Sequence, residues 1–181
     1  MYQVRIHGRG GQGVVTGAEM LAAAVFAEGK YPQAFPSFGS ERMGAPVVSF
    51  CRVSDHQIRL KEPIVSPDAI IIQDATLLQS VDIFDGLKSG GLCIINTAKS
   101  RESFQNAVPA GVSVYTIDAT EIARKVIGRP IPNTVLLGAF CALAHIVSLE
   151  SLCAAIEHKF GGSVAEKNIA ACKEAYNAVS Q

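Results

Sequence analysis

Two short apolar runs near the middle of the chain restrict its possible folds more than any other feature. Residues 68–74 read DAIIIQD and residues 90–97 read GGLCIINT, with consecutive rather than alternating apolar residues. A strand of this kind has both faces buried, as in a parallel sheet that is covered on each side. Segments with helical spacing separate and follow these runs. The sequence therefore predicts an α/β fold with a three-layer, Rossmann-like, doubly wound and mainly parallel sheet, with helices on both faces.

The other strands and helices are predicted from the same patterns. Apolar and β-branched runs predict strands at 2–7, 46–53 and 112–118. A short strand HQIRL at 56–60 is expected to pair with 46–53 through a turn at Ser54-Asp55. The Gly- and Pro-rich segment 29–46 is predicted to be mostly loop. Helical spacing predicts a helix from Val14 up to Gly29 and further helices at 76–84, 119–127, 133–147, 149–160 and 163–178.

Several residues mark the ends of these elements. Asn133 and Ser163 are predicted N-caps, and Gly161-Gly162 is a natural stop for the preceding helix. Asp74 and Asp118 each end a strand and precede a helix, so each is either an N-cap or an acid placed for chemistry. No linker or internal repeat divides the chain. We therefore expect a single domain, 1–181, in which the C-terminal helices pack beside the sheet.

Composition and charge exclude several kinds of partner. Sixteen basic residues balance sixteen acidic ones, which argues against binding to nucleic acid or to a membrane surface through net charge. The longest apolar stretch, 134–147, is too short and too interrupted to span a bilayer comfortably. The N-terminus lacks the apolar core of a signal peptide. These features predict a cytoplasmic protein.

The cysteine pattern argues against a bound metal. None of the five cysteines forms a C-x-x-C pair, the arrangement typical of zinc ribbons and of many iron–sulfur sites. An odd number of scattered cysteines fits a reducing compartment, and we expect them to be small buried hydrophobic residues. They are Cys51, Cys93, Cys141, Cys153 and Cys172.

A glycine-rich turn follows the first predicted strand. Within HGRGGQG, the residues Gly8, Gly10 and Gly13 match G-x-G-x-x-G, with a strand before the turn and a helix after it. Glycine permits positive φ and lets a ligand approach the backbone. The free N–H groups at the start of the following helix favour an anion. A phosphate site is therefore expected here.

Two nucleotide-binding interpretations of this turn are weak. A dinucleotide site needs an acidic residue at the end of the second strand to bind a ribose, but that region reads YPQAFPSFGS. A P-loop is excluded because no G-K-[ST] follows the glycines. The alternative without a ligand is a tight turn, with Gly17 allowing the helix to pack closely on the sheet.

A second candidate lies in the segment FPSFGSERMGAP. Ser40, Glu41 and Arg42 stand between two glycines and lead into a strand. Either this is a solvated loop, or Arg42 meets an anion or a partner chain while Glu41 orients it. His7, beside the glycine turn, is either a ligand contact or, with more weight, a structural histidine. No catalytic triad or carboxylate pair emerges, so no catalytic residue is predicted.

Taken in order, these segments resemble the gamma subunit of pyruvate/2-oxoacid:ferredoxin oxidoreductases. The similarity extends over nearly the whole chain, and the first two motifs are specific in combination. HGRGGQG and FPSFGSER are more similar to the pyruvate and 2-ketoisovalerate branch than to the others. The resemblance rests on HGRGGQGVVTGAEMLA, QAFPSFGSERMGAPVVSFCRVS, PDAIIIQDATLL, GLCIINT, NTVLLGAFCALAHIVSLESLCAAIEHKF and KNIAACKEAY.

The resemblance implies a role within a larger enzyme. Complexes of this family oxidatively decarboxylate a 2-oxoacid with coenzyme A and ferredoxin, giving acyl-CoA and carbon dioxide. Thiamine diphosphate is expected between the alpha and beta subunits, and iron–sulfur clusters in the beta and delta subunits. The gamma subunit is expected to carry neither, to be inactive alone, to assemble with the other chains and to handle coenzyme A.

Coenzyme A suits the glycine turn, because it carries a pyrophosphate and a 3′-phosphate and requires no ribose-binding acid. Contact with a neighbouring subunit, a free-standing phosphate- or nucleotide-binding module, and a scaffold without a ligand remain alternatives. The residues expected to contact the cofactor are Gly8, Arg9, Gly10, Gly11, Gln12, Gly13, Ser40, Glu41 and Arg42.

Overall fold

The protein folds as a six-stranded mixed sheet with five α-helices, seen in a computed structural model that describes residues 1–37 and 43–180. The strands are β1 (Tyr2–Arg9), β2 (Tyr31–Pro36), β3 (Pro46–Ser54), β4 (Ala69–Ile72), β5 (Leu92–Asn96) and β6 (Ser113–Ile117). The α-helices are α1 (Val14–Ala27), α2 (Ala119–Val126), α3 (Asn133–Ala144), α4 (Leu149–Phe160) and α5 (Gly162–Val179). Among the described residues, no helix combines the length and apolar character needed to cross a membrane.

The sheet has the strand order β2-β3-β1-β4-β5-β6. β1, β4, β5 and β6 run parallel, whereas β3 is antiparallel to both β1 and β2. Along the chain, β2 and β3 are added on one side of β1, and β4, β5 and β6 then follow on the other side. The carboxyl ends of β1 and β4 therefore form a topological switch point, where ligands of open α/β sheets bind. This confirms the predicted α/β fold and its mainly parallel sheet.

The two faces of the sheet are covered differently. All five α-helices contribute to one core, which includes Val4 and Ile6 of β1 and Ile71 of β4. The opposite face, with Ile70 and Ile72, is covered by loops and two 3-10 helices, Ala75–Gln79 and Arg101–Phe104. Helices therefore lie on both faces, as predicted, but those on the second face are of the 3-10 type, including the short helix expected at 76–84. β4 is buried on both faces, as its unbroken apolar run predicted.

The largest error in the predicted elements concerns the sheet edge. Segment 29–46 was expected to be mostly loop, but β2 forms within it and pairs with β3, where the Phe35 and Phe50 rings lie 5.1 Å apart. Its two prolines are tolerated because β2 is an edge strand. HQIRL at 56–60 forms no strand, which contradicts the predicted pairing. β3 already has β1 on one side and β2 on the other, so no edge remains for it.

Two of the four predicted helix caps are confirmed. The carboxylate of Asp118 accepts a hydrogen bond from the Glu121 N–H at the start of α2, and Asp74 caps the first 3-10 helix in the same way. Asn133 and Ser163 are not N-caps, because α3 is preceded by Pro132 and α5 by Gly161. Asn133 instead uses its side chain to join α3 to the glycine turn.

A close backbone contact between helices lies where α3 crosses α5. A Cβ atom added at Gly138 would fall well inside van der Waals contact with the backbone carbonyl of Cys172. Gly17 differs from the expectation, because a Cβ there would have no atom nearer than 3.8 Å. Close packing in this protein therefore requires the glycine in α3, and α1 does not need Gly17 for close approach.

Gly138→Ala should lower the free energy of unfolding by about 2–3 kcal/mol, because a backbone carbonyl cannot move aside as a side chain can. Gly17→Ala is the matched control at another helix interior. It should leave stability unchanged or raise it by up to about 1 kcal/mol, because alanine favours helix. Urea unfolding of both variants measures the difference. Equal stabilities would show that α3 and α5 do not depend on the close approach.

Candidate functional site

The glycine turn lies at the carboxyl end of β1, at the switch point of the sheet. Gly11 and Gly13 have positive φ angles of 93° and 71°, which explains the need for glycine at both positions. The turn is attached to the start of β3, since the Gly10 N–H donates to the carbonyl of Ala45 over 2.9 Å. The Gly44 N–H returns a hydrogen bond of 3.1 Å to the Gly10 carbonyl. The backbone of the turn is therefore held on both sides.

Arg9 and Gln12 secure the turn to the end of β4. The Arg9 guanidinium contacts the Asp74 carboxylate over 3.1 Å and donates to the Thr76 hydroxyl over 2.9 Å. The Gln12 side chain accepts from the Arg9 N–H and donates to Asp74. Burial alone would raise the pKa of Asp74, but hydrogen bonds from Thr76 and the charge of Arg9 lower it below its ordinary value. The Asp74 carboxylate therefore holds the turn through Arg9 and Gln12, and it also caps the first 3-10 helix.

Next to the turn lies a cavity of about 430 Å³ on the face of the sheet that carries the α-helices. Its size falls within the range of small-molecule sites. Gly11 and Gly13 form part of its wall, and one side is apolar. Its lining comprises Gly11, Gly13, Thr16, Ile127, Arg129, Ile131, Asn133, Phe160, Ser163, Val164, Lys167 and Asn168.

Three helices begin at this cavity, and their starts are favourable for an anion. α1, α3 and α5 have no side-chain cap and no acidic residue in the first turn. The other two α-helices, α2 and α4, have both a side-chain cap and a glutamate in the first turn. Uncapped N–H groups and the positive end of the helix dipole both attract negative charge. The helices that begin at the cavity are therefore the ones that leave this charge uncompensated.

Buried amides join the three helix starts beneath the cavity. Asn133, 3% exposed, donates from its side chain to the Gly13 carbonyl over 3.3 Å and accepts from the Thr134 N–H. The Thr134 hydroxyl donates to Asn168, which in turn donates to the Val164 carbonyl. Because these amides are satisfied within the protein, they fix the shape of the floor.

Two exposed cations, Arg129 and Lys167, border the cavity. Neither forms an ion pair with any other residue in ranges 1–37 and 43–180. Sequence reasoning missed both, because each is far from the glycine motif in the sequence and no local pattern links it to that motif. The sequence did contain one indication of an anion site, because the first turns of α3 and α5 have no acidic residue.

The structure separates the predicted site residues into three groups. Gly11 and Gly13 line the cavity, while Gly8 lies against Val14 and Gln73, where a Cβ would clash. Arg9, Gly10 and Gln12 hold the turn in place, as described above. The third group, Ser40, Glu41 and Arg42, lies outside the described residues.

His7 has a structural position away from the cavity. Side chains alternate along a strand, so His7 lies on the face of β1 opposite to Ile6 and the α-helices. It is 8% exposed, and burial, together with the charge of Arg5, lowers its pKa to about 3. His7 is therefore neutral at physiological pH. The Arg5 guanidinium beside it donates to the carbonyls of Ile83 and Asp85 over 2.7 and 2.6 Å.

The pKa of His7 predicts a loss of stability in acid. Below its ordinary pKa of 6.5 the unfolded chain binds a proton that the folded chain excludes down to about pH 3. The free energy of unfolding should therefore fall with decreasing pH in this window, by up to about 1.4 kcal/mol per pH unit from this group. Urea unfolding between pH 7 and pH 4 should show a shallower slope for His7→Gln. The exposed His56→Gln serves as control, and an unchanged slope in His7→Gln would contradict the prediction.

Comparison with known proteins identifies the family. Residues 3–178 match the family described as pyruvate ferredoxin/flavodoxin oxidoreductase. The chain belongs to this family.

Within the described ranges, no group of three or more His, Cys, Asp or Glu side chains is arranged to hold a metal ion.

Relatives in this family match the chain over nearly its full length. It is 50% identical to pyruvate synthase subunit PorC of Methanocaldococcus jannaschii, over 98% of this chain and 96% of that one. It is 48% identical to the common gamma subunit of the pyruvate/ketoisovalerate oxidoreductases of Thermococcus kodakarensis, over 98% and 96%. The crystal structure of pyruvate oxidoreductase subunit PORC from Thermotoga maritima superposes with a TM-score of 0.87 at 38% identity, covering 97% of this chain and 95% of that one.

Proposed function

We propose that this chain is the gamma subunit of a pyruvate- or 2-ketoisovalerate:ferredoxin oxidoreductase, and that it binds the phosphates of coenzyme A beside the glycine turn. The first part is supported by the names of the full-length relatives, which are pyruvate synthase and pyruvate/ketoisovalerate oxidoreductase subunits. The second part is carried by one observation. Three helix starts without caps or acids meet two cations at a single cavity.

The cavity matches the chemistry of coenzyme A in two respects. Arg129 and Lys167 can each pair with a phosphate oxygen, and the N–H groups near Gly13 can donate to another. Ile127, Ile131 and Phe160 provide an apolar surface for the adenine ring or the pantetheine chain. The segment Ser40–Arg42 remains part of the proposal, because Met43, the next residue, is bridged to Gly10.

The proposal gives the chain a binding role and leaves the redox chemistry to its partners. Alpha, beta and delta subunits would supply thiamine diphosphate and the iron–sulfur clusters, with ferredoxin as electron acceptor. Arg9 and Asp74 act within the chain by holding the turn, on the face of the sheet opposite to the cavity. A stiff turn with preset N–H directions binds an anion with little loss of entropy.

The role in the complex can be tested by omission. Co-expression with the neighbouring reading frames should yield a complex that reduces ferredoxin with pyruvate or 2-ketoisovalerate and coenzyme A. Omitting this chain should abolish the activity, and the isolated chain should have none. Decarboxylation by the isolated chain, or full activity without it, would contradict the assignment.

Coenzyme A binding can be tested by calorimetric titration into the assembled complex. Arg129→Ala and Lys167→Ala should each weaken binding roughly 10- to 100-fold, because each removes a charged hydrogen bond. Arg42→Ala and Gly10→Val test the other predicted residues in the same way. Lys173→Ala, also exposed on α5 but outside the cavity, is the control.

Subunit composition is measured in parallel by native mass spectrometry. Unchanged affinity together with unchanged assembly in all four variants would refute a binding site here. Weaker assembly, with unchanged affinity in the complex that does form, would identify this surface as a subunit contact instead.

A further inference from the structure

The two edges of the sheet differ in the backbone groups that they present. β2 forms one edge and β6 the other. The Ser37 N–H, just after β2, donates to the Val48 carbonyl of β3 over 2.9 Å, and alternate residues of a strand direct their backbone groups to the same side. The outward positions of β2 are therefore Pro32, Ala34 and Pro36. Proline has no N–H group, so the edge of β2 is poorly suited to receive another strand.

The outer edge of β6 has no such protection. The Ser113 N–H at the start of β6 donates to the Gly91 carbonyl over 2.9 Å. Every second residue from Ser113 onward therefore directs its backbone groups towards β5, whereas Val114 and Thr116 direct theirs away from the sheet. β6 contains neither proline nor a charged residue. Proteins use such residues to keep edge strands from pairing, so an edge without them is suited to accept a strand.

The outward groups of β6 are symmetric about Tyr115. When a second copy of β6 is placed antiparallel to the first, with Tyr115 opposite Tyr115, each Val114 lies opposite the Thr116 of the other copy. Both residues present an outward N–H and an outward C=O, so each of these pairs exchanges two hydrogen bonds. Within β6, this is the register that pairs all of the outward groups. It corresponds to a twofold axis, the commonest symmetry of protein dimers.

The structure leaves room for the side chains that this register brings together. Tyr115 is 37% exposed and lies on the face of the α-helices, at a cavity of about 310 Å³ bordered by Leu143 and Ala144. The two Tyr115 residues form a pair without hydrogen bonds, whose Cα atoms lie about 4.5 Å apart. Aromatic side chains in such a pair contact each other, and the cavity can hold part of the second ring.

The opposite face of β6 provides complementary charges. Arg101 borders a cavity of about 300 Å³ together with Val112 and Val114. When the pairing is continued by one residue at each end of β6, Asp118 of the second copy lies opposite Val112 and on the same face. Arg101 of each copy is thereby placed to pair with Asp118 of the other. Its partner within the chain is the adjacent Glu102 at 3.2 Å, an exposed ion pair that stabilises the chain little.

We propose that the edge of β6 is a self-association surface, through which two copies of this chain form a twofold dimer with one continuous sheet. A second copy fits because this one segment supplies the donors, the acceptors, the aromatic pair and both charges. The contact is limited to one strand from each copy, so the dimer should be weak and concentration-dependent. In an assembled complex, the same contact would join two complexes. The proposal does not rest on coenzyme A binding.

Sedimentation of the full-length chain from micromolar to millimolar concentrations measures the association. A monomer–dimer equilibrium is expected, and the amides of Val114 and Thr116 should exchange hydrogen more slowly as the dimer fraction rises. Thr116→Pro removes an outward N–H from each copy and should raise the dimer dissociation constant roughly 10- to 100-fold, because two symmetry-related hydrogen bonds are lost. Ala34→Pro, at the outward position of β2, is the matched control and should leave the constant unchanged.

Tyr115→Cys tests the register. The twofold axis places the two introduced thiols within disulfide distance, so mild oxidation should link two copies, and peptide mapping should locate the bond at this position. Ser113→Cys is the control and should not link. In the proposed register, Ser113 lies opposite Ile117 of the other copy, about 13 Å from its own counterpart.

Three results would overturn the proposal. They are a chain that stays monomeric at millimolar concentration, a Thr116→Pro dimer as strong as the wild type, and an oxidised Tyr115→Cys that stays monomeric or links to a different subunit in the assembled complex. Circular dichroism checks that each variant is folded. If Thr116→Pro does not fold, Arg101→Glu replaces it and should weaken the dimer, because it brings a like charge to Asp118. Lys61→Glu, in the exposed loop beside β2, should not.

Discussion

The close approach of α3 and α5 at Gly138 is the constraint on which the rest of the structure depends. It lets α5 lie against α3 so that Asn168 reaches Thr134, and so that the starts of both helices border the same cavity as the glycine turn. The same approach sets the position of Cys172. Because a backbone carbonyl occupies the space of a side chain at residue 138, packing there has little freedom to relax.

The two faces of the sheet at the switch point have separate tasks. On one face, the side chains of Arg9, Gln12 and Asp74 form an ion pair and hydrogen bonds that hold the turn in place. On the other face, the helix starts have no acid or side-chain cap, and Arg129 and Lys167 add positive charge. Leaving this charge unbalanced lowers stability but favours an anion.

Much of the fold could be predicted because its signals are local. The unbroken apolar run of β4, the helical spacing of α1, and the caps at Asp74 and Asp118 depend on neighbours in the sequence. The predictions failed where strand pairing decided the outcome. β2 carries two prolines and has no strong strand pattern, yet β3 offers it a free edge, and HQIRL then has none.

The candidate site was predictable only in part. The glycine turn and its positive-φ residues were predicted correctly, because a positive φ angle favours glycine and the glycines are visible in the sequence. The ion pair of Arg9 was not predictable from the sequence, because its partner Asp74 lies 65 positions away in the chain. The contact between Asn133 and Gly13 joins residues 120 positions apart, so no local sequence pattern could predict it.

The sequence by itself determined the fold class, the place of the glycine turn and the family. These follow from residue types and spacing, which act over a few positions along the chain. Only the tertiary structure decided that Arg129 and Lys167 share a cavity with the turn, and that Asn133 contacts Gly13. Such contacts arise from how helices pack on a sheet, and packing brings together residues whose separation in sequence carries no information about their distance.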